Sequence, residues 1–281
     1  MIVQMTMTRN ELFLLKEMLP LWKKYVDAFV FMVDTSDDGT YEYLMDNSER
    51  YNILSVLVKN QTDNQLDIES DCRQRLYDEC LKFSDKLVCL DTDEYLDGTL
   101  TKEELNSILD NNKGHLLELL WVQYINRNSI RVDGPWAQAW SPDRVGSYPQ
   151  RMLFPPAQMH SQHMPYDANR KSIRLHPNQL FIAHLQWIDK KSVALKQYYW
   201  KVVDYVNRLK YNAKTIDPRE YDVSVNNFSW QYAGFPFPLK VRDSVYSDQD
   251  ITKNYKYIFI QDNVKKYNIP NLNDWGMGIH P

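Results

Sequence analysis

Hydrophobic positions in the first hundred residues follow two alternating rhythms. Ile2–Met7, Ala28–Val33 (AFVFMV), Ile53–Val58 (ILSVLV) and Lys86–Leu90 are apolar runs of strand length. Between them, Asn10–Tyr25 carries Leu12, Leu15, Leu19 and Trp22 at helical spacing, and Thr40–Met45 starts another helix. Asp67–Phe83 sets Ile68, Cys72, Leu76 and Cys80 on one face, each four residues from the last. Strands alternating with helices predict an α/β fold with a mostly parallel central sheet flanked by helices. Ligands of such sheets bind outside the carboxyl ends of the strands.

Beyond residue 100 the alternation weakens. Lys102–Leu109 reads as a helix, Leu116–Ile125 as a strand and Phe181–His184 as another. DGPWAQAWSPDRVGSYPQ and MLFPPAQMHSQHMPY read as Pro-rich, aromatic loops. Lys190–Tyr211 is the longest helical pattern, with Val193, Val202, Val206 and Leu209 along it, and the tail from Asn212 reads as irregular. The expected organisation is one α/β domain over 1–185 with a helical and aromatic extension over 186–281 packed on it.

Composition narrows the function. The 281 residues are 43% hydrophobic and 25% charged, which is ordinary for a globular domain. A net charge of -4 lacks the basic footprint of phosphate-backbone binding, so no nucleic-acid partner is expected. No apolar run reaches the roughly 20 residues of a transmembrane helix. The N-terminus lacks the pattern of a secretory signal, and Cys72, Cys80 and Cys89 fit reduced core residues, so a cytoplasmic location is expected. Neither GxxxxGK[ST] nor GxGxxG occurs, which removes P-loop and dinucleotide-fingerprint chemistry.

Two acidic clusters fall just after predicted strands: DTSDD after the second and DTDE after the fourth. A calcium-loop reading fails on both. Asp93–Glu104 places Tyr95 where a third-position oxygen belongs, Asp34–Met45 ends on Met where a bidentate Glu belongs, and strands rather than helices precede them. Two carboxylates one residue apart at a strand end do suit hard oxygen ligation of Mg²⁺ or Mn²⁺, with a diphosphate completing the shell. A solvated acidic turn remains the plain alternative.

The order and spacing of TRNE (Thr8–Glu11), VDTSDDGTYEYL (Val33–Leu44), CRQRLYDECLKFSDKLVCLDTDEYL (Cys72–Leu96) and WSPDRVGSYPQRMLF (Trp140–Phe154) resemble family 2-type glycosyltransferases of the GT-A fold. The last segment is similar to those that build lipopolysaccharide cores. The resemblance implies a nucleotide-sugar donor (UDP-, GDP- or dTDP-linked), a divalent cation (Mn²⁺ or Mg²⁺) and inverting transfer to a glycan or lipid-linked glycan. Carried over by position, Thr8 and Asn10 line the nucleotide pocket, Asp34 and Ser36 sit by base and ribose, and Arg73 faces the nucleotide or diphosphate. Asp91 and Asp93 form the metal and ribose-phosphate motif, with Asp93 as the direct metal ligand. Capping and turn formation are the plain roles for Thr8, Asn10 and Ser36.

Inverting transfer needs a general base. Asp143 is the first candidate because it aligns with the family's W-x-P-D segment, ahead of Glu94 and Asp133. Four of the six histidines, His160, His163, His176 and His184, come late. His163 and His184 are the candidate metal ligands by the same resemblance. Trp136, Trp140, Tyr148 and Tyr166 are candidates for sugar stacking or for packing. The extension is left with three roles: covering the acceptor site, contacting a second copy, or touching a membrane surface. Two other functions stay open. A sugar-phosphate nucleotidyltransferase should carry a glycine-rich loop after the first strand, and MTMTRNE has no glycine. A non-catalytic carbohydrate- or calcium-binding module leaves the placement of the acids on successive strand ends unexplained.

Overall fold

The computed structural model describes residues 1–59, 69–133, 137, 139–157, 161–166, 169–211, 231–242, 244–248 and 251–267. His160, Trp136 and the first residues of the helix expected over Asp67–Phe83 lie outside them. The first half runs β1 (Val3–Thr8), α1 (Leu12–Trp22), β2 (Ala28–Val33), α2 (Thr40–Asp46), α3 (Ser48–Tyr51), β3 (Ile53–Val58), α4 (Glu69–Leu81) and β4 (Lys86–Cys89). Then follow β5 (Glu94–Asp97), α5 (Lys102–Asn111), β6 (Leu116–Asn126), β7 (Ser129–Arg131), β8 (Ala139–Ser147), β9 (Ser172–Arg174) and β10 (Phe181–His184). The extension holds α6 (Lys190–Tyr211), β11 (Tyr232–Gly234) and α7 (Tyr255–Tyr267).

The fold is α/β with a mixed central sheet in the order β11-β7-β6-β8-β4-β1-β2-β3. Strands β4, β1, β2 and β3 are parallel neighbours, whereas β8 runs antiparallel to both β4 and β6. Alternation along β2 serves two cores. Phe29, Phe31 and Val33 pack in one cluster with Leu15, Leu19 and Trp22 of α1. Ala28, Val30 and Met32 pack in another with Cys72, Leu76 and Cys80 of α4. Burial on both faces is why AFVFMV is apolar throughout rather than alternating. The cysteines are free and buried, and burial pushes the Cys89 thiol up to about 12 although Arg73 and Arg144 pull it down.

Three segments depart from the expected pattern. The stretch expected as loop at 133–150 contains β8, a strand inside the sheet. Its Pro142 is tolerated because the register jumps from Leu117↔Val145 to Leu119↔Ser141, so residues 142–144 bulge against Glu118 alone. The segment after Asp91 does not stay a loop but turns at Glu94 into β5, which pairs antiparallel with β10. The tail expected as irregular contains α7, within which YIFI lies. On α6, Leu209 is exposed rather than part of the apolar face. That face forms a third small core with α7, in which Tyr199 meets Tyr255 and Phe259 at ring-centroid distances of 5.7 and 5.2 Å.

Candidate active site

Strand order fixes where the site lies. From β1 the chain steps outward to β2 and β3, then returns to place β4 on the other side of β1. The crevice at such a reversal is where open α/β sheets bind ligands. Here the ends of β1 (Met7–Glu11), β2 (Asp34), β3 (Lys59) and β4 (Asp91–Asp93) all line one cleft. The opposite wall comes from the extension: α6 presents Ser192, Leu195, Lys196, Tyr199 and Trp200, and the start of α7 presents Tyr255 and Lys256.

The acids of DTSDD divide by role. Asn10, held at φ +51°, donates from its side-chain amide to Asp37 at 2.7 Å, and the Asp37 N–H donates back to its Oδ1 at 2.9 Å. Its own N–H donates to Ser36 Oγ at 3.0 Å. Asp38 accepts from the Leu12 N–H that opens α1 and from the Thr40 N–H that opens α2, both at 3.0 Å. These contacts weld the loops after β1 and β2 together. Asp34 alone faces the cleft, with Arg9 at 3.5 Å and Lys59 at 3.4 Å.

The three acids of DTDE sit in three different environments. Glu94 is fully buried, and its carboxylate accepts two bonds from Arg144 (3.0 and 3.1 Å), one from the Trp121 indole (2.8 Å) and one from the Asp91 N–H (3.0 Å). Asp91 is 39% exposed at its side chain and opens on the cleft, with His163 Nε2 at 3.1 Å and an Arg73 nitrogen at 3.9 Å. Burial opposes its charge, but His163 and Arg73 hold the carboxyl well below the usual range. Asp93 is mostly buried, with His184 Nε2 at 3.4 Å and the Lys196 ammonium at 3.2 Å from the same oxygen. Against burial, Lys196 and His184 hold it low as well.

Two carboxylate–imidazole pairs therefore stand side by side. The far nitrogen of each ring is fixed: His163 Nδ1 lies 3.5 Å from Asp143, and His184 Nδ1 lies 2.7 Å from Gln123 Oε1. His184 also stacks on Trp121 with centroids 4.6 Å apart. An imidazole fixed on its far side by a carboxylate or amide is the usual preparation for metal ligation. The donor set suits a divalent ion of the Mn²⁺ type. The 3.1 Å between Asp91 Oδ2 and His163 Nε2 matches the roughly 3 Å between adjacent corners of an octahedron with bonds of about 2.1 Å. Glu94 has an oxygen within 4.8 Å of both those atoms, but its acceptor sites are already filled.

Of the residues singled out in the sequence, Thr8, Asn10, Asp34, Arg73, Asp91 and Asp93 line the cleft. Ser36 lies behind it and ties Asn10 to the Asp34 carbonyl. Asp143 sits on the β8 bulge beneath His163. It accepts from Ser141 Oγ (2.7 Å), Arg144 (3.1 Å) and the His163 N–H (2.9 Å). Burial works against its charge, yet Arg144 and His163 outweigh that and hold it well below the ordinary range. The calcium-loop alternative does not survive: its span contains β5, and Glu104 closes a capping box on Thr101. Tyr148 packs in the core against Tyr77, and Trp140 stacks under Arg174. Sequence reasoning missed the far wall. Residues 192, 195, 196, 199 and 200 do follow helical spacing, but nothing in the sequence says that this face meets the strand ends.

No family model matches the chain, and no curated protein matches it. Among solved structures it is similar to S. aureus TarS, with a TM-score of 0.45 and 14% identity, over 79% of this chain and 41% of TarS. A crystal structure of TarS 1-349 in complex with UDP matches with a TM-score of 0.39 and 12% identity, over 80% of this chain and 69% of that one. HddC from Yersinia pseudotuberculosis matches with a TM-score of 0.35 and 9% identity, over 66% of this chain and 93% of that one. The chain thus spans less than half the length of full TarS. Likenesses of this strength carry no activity over to it.

Proposed function

We propose that the protein is a metal-dependent glycosyltransferase that moves a sugar from a nucleotide-sugar donor to a hydroxyl acceptor with inversion. The observation that supports this most is the convergence of four strand ends on one cleft where Asp91 and Asp93 face Arg73 and Lys196. A cleft holding both carboxylates and cations suits a ligand whose own charge is bridged partly by a metal and partly by side chains. Asp91 and His163 would hold the ion, with Asp93 and His184 as the neighbouring pair. Once bound, a divalent ion neutralises charge developing on the departing diphosphate.

The chain's own groups would bind and orient the donor. The strand ends supply the donor floor, where Thr8, Asn10 and Asp34 lie along the switch point, and α6 and the start of α7 face it from the opposite wall. In the transfer, the acceptor oxygen bonds to the anomeric carbon and the bond from that carbon to the phosphate oxygen breaks. The electron pair leaves with the diphosphate, and the acceptor proton passes to a carboxylate. Asp143 is the base that the W-x-P-D resemblance implies. In this arrangement its oxygens are engaged by Ser141, Arg144 and His163, so its part is to orient His163. A glycan or lipid-linked acceptor of the lipopolysaccharide-core kind is the finer proposal and rests on the W-x-P-D segment alone.

A donor-hydrolysis screen over UDP-, GDP- and dTDP-sugars with Mn²⁺ tests this. Turnover of at least one donor, abolished by Asp91→Asn, is expected. Release of pyrophosphate from a nucleoside triphosphate and a sugar phosphate would instead identify a nucleotidyltransferase.

A further inference from the structure

The far wall of the cleft carries two lysines that come from the extension and not from the strand ends. Lys196 reaches across from α6, and its ammonium lies 3.2 Å from Asp93 Oδ2 with the side chain 27% exposed. Lys256 stands in the first turn of α7, where its N–H donates to Asn254 Oδ1 at 2.8 Å. Among the described residues no carboxylate lies within ion-pair distance of its ammonium. The other cations of the cleft are more heavily engaged: Arg9 and Lys59 both sit on Asp34, and Arg73 bonds Glu69 at 3.0 Å.

We propose that Lys196 and Lys256 are diphosphate-binding residues, so that the C-terminal extension is part of the donor site rather than a cover over it. This rests on the glycosyltransferase reading for the identity of the ligand, but not for its chemistry. The cleft's five cations (Arg9, Lys59, Arg73, Lys196, Lys256) are matched by five carboxylates (Glu11, Asp34, Glu69, Asp91, Asp93). An entering diphosphate therefore finds no net positive field and must take cations from the least committed pairs. Lys256 makes no close ion pair and faces the Glu11 carboxylate only at longer range, and Lys196 is held by an aspartate that a divalent ion would also engage. A metal at the strand ends and an ammonium on the diphosphate are thus compatible, because the ion compensates the carboxylates that the lysine leaves. The two lysines come from helices joined by their own core through Tyr199, Tyr255 and Phe259, so they act as one wall.

The test uses inorganic pyrophosphate and UDP, GDP and dTDP as probes, titrated calorimetrically into the full chain with and without Mn²⁺. The variants are Lys256→Ala, Lys256→Arg, Lys196→Ala and Lys196→Arg, with Lys191→Ala as a control on the same helix as Lys196 outside the cleft. Each alanine variant should weaken pyrophosphate binding about tenfold, the scale of one charge-assisted hydrogen bond. Lys196→Arg should recover most of the loss, and Lys191→Ala should change nothing. Lys256→Ala leaves Glu11 without its main opposing charge, so thermal unfolding is followed alongside, and Lys256→Arg, which keeps that charge, should retain both the stability and most of the pyrophosphate binding. Unchanged pyrophosphate affinity in both alanine variants overturns the inference, even if nucleotides bind and donors turn over. Weakened pyrophosphate binding in a protein that prefers no nucleotide upholds the anion site while removing the glycosyltransferase reading.

Discussion

Glu94 and Asp91 lie three residues apart, yet they belong to two regions built on opposite principles. Behind the strand ends, Glu94, Arg144, Asp143 and Trp121 form a buried polar knot in which each charge meets several donors or acceptors. In front of them, Asp91, Asp93 and Asp34 meet partners at 3.1 to 3.9 Å and leave oxygens open. A saturated network fixes geometry, whereas an unsaturated one can take a ligand. The knot also backs both imidazoles, His163 through Asp143 and His184 through the Trp121 ring. Rigidity therefore belongs to the knot, and the open oxygens belong to the cleft.

Breaking the knot should give the largest effect. Glu94→Ala strands Arg144 without its buried partner and should cost about 3–5 kcal/mol of stability in denaturant titration. A loss below 1 kcal/mol would show that the knot is not structural. Gly98, at φ +145°, is next, since an added Cβ would overlap the Gln179 carbonyl where β5 leaves toward α5. Gly98→Ala should cost about 2–3 kcal/mol while leaving the cleft chemistry alone. On the cleft side the pattern should invert. Asp91→Asn should change stability by less than about 1 kcal/mol, and its damage should appear in ligand binding.

The smallest effect is on pH dependence, best read in EDTA. Asp143 has a folded value depressed below the unfolded one of about 3.9, so its stabilisation is present above that pH and is lost as pH falls toward the folded value. His163 is raised: burial and Arg144 pull it down, but Asp91 and Asp143 outweigh them. Its contribution is present below about pH 6.5 and is lost as pH rises through the folded value. Thermal melting should therefore decline on both sides of a plateau, and His163→Gln should flatten the alkaline limb.

The parallel half of the fold was legible because β2 and β3 are apolar runs and α1 and α4 carry helical faces. Strand β8 was not, since a proline inside a central strand is readable only once the bulge opposite Glu118 is known. Strand β5 was hidden by its acids, Glu94 and Asp97, which reverse the usual polarity of a buried strand. For the site, DTDE and TRNE marked the floor because they follow predicted strands. Lys196 looked like one of several solvated lysines on α6. Its neighbours Leu195 and Tyr199 show which face turns inward, but only the tertiary structure sets that face against Asp93.

Calorimetric titration of UDP, GDP and dTDP, each with and without Mn²⁺, into wild type and Asp91→Asn tests the central claim most directly. At least one nucleotide should bind the wild type about tenfold more tightly with Mn²⁺ than without it, and the variant should lose that difference. Failure of all three to bind, or an equal response to Mn²⁺ in the variant, would contradict the claim that the open aspartate at the end of β4 holds the ion for a diphosphate.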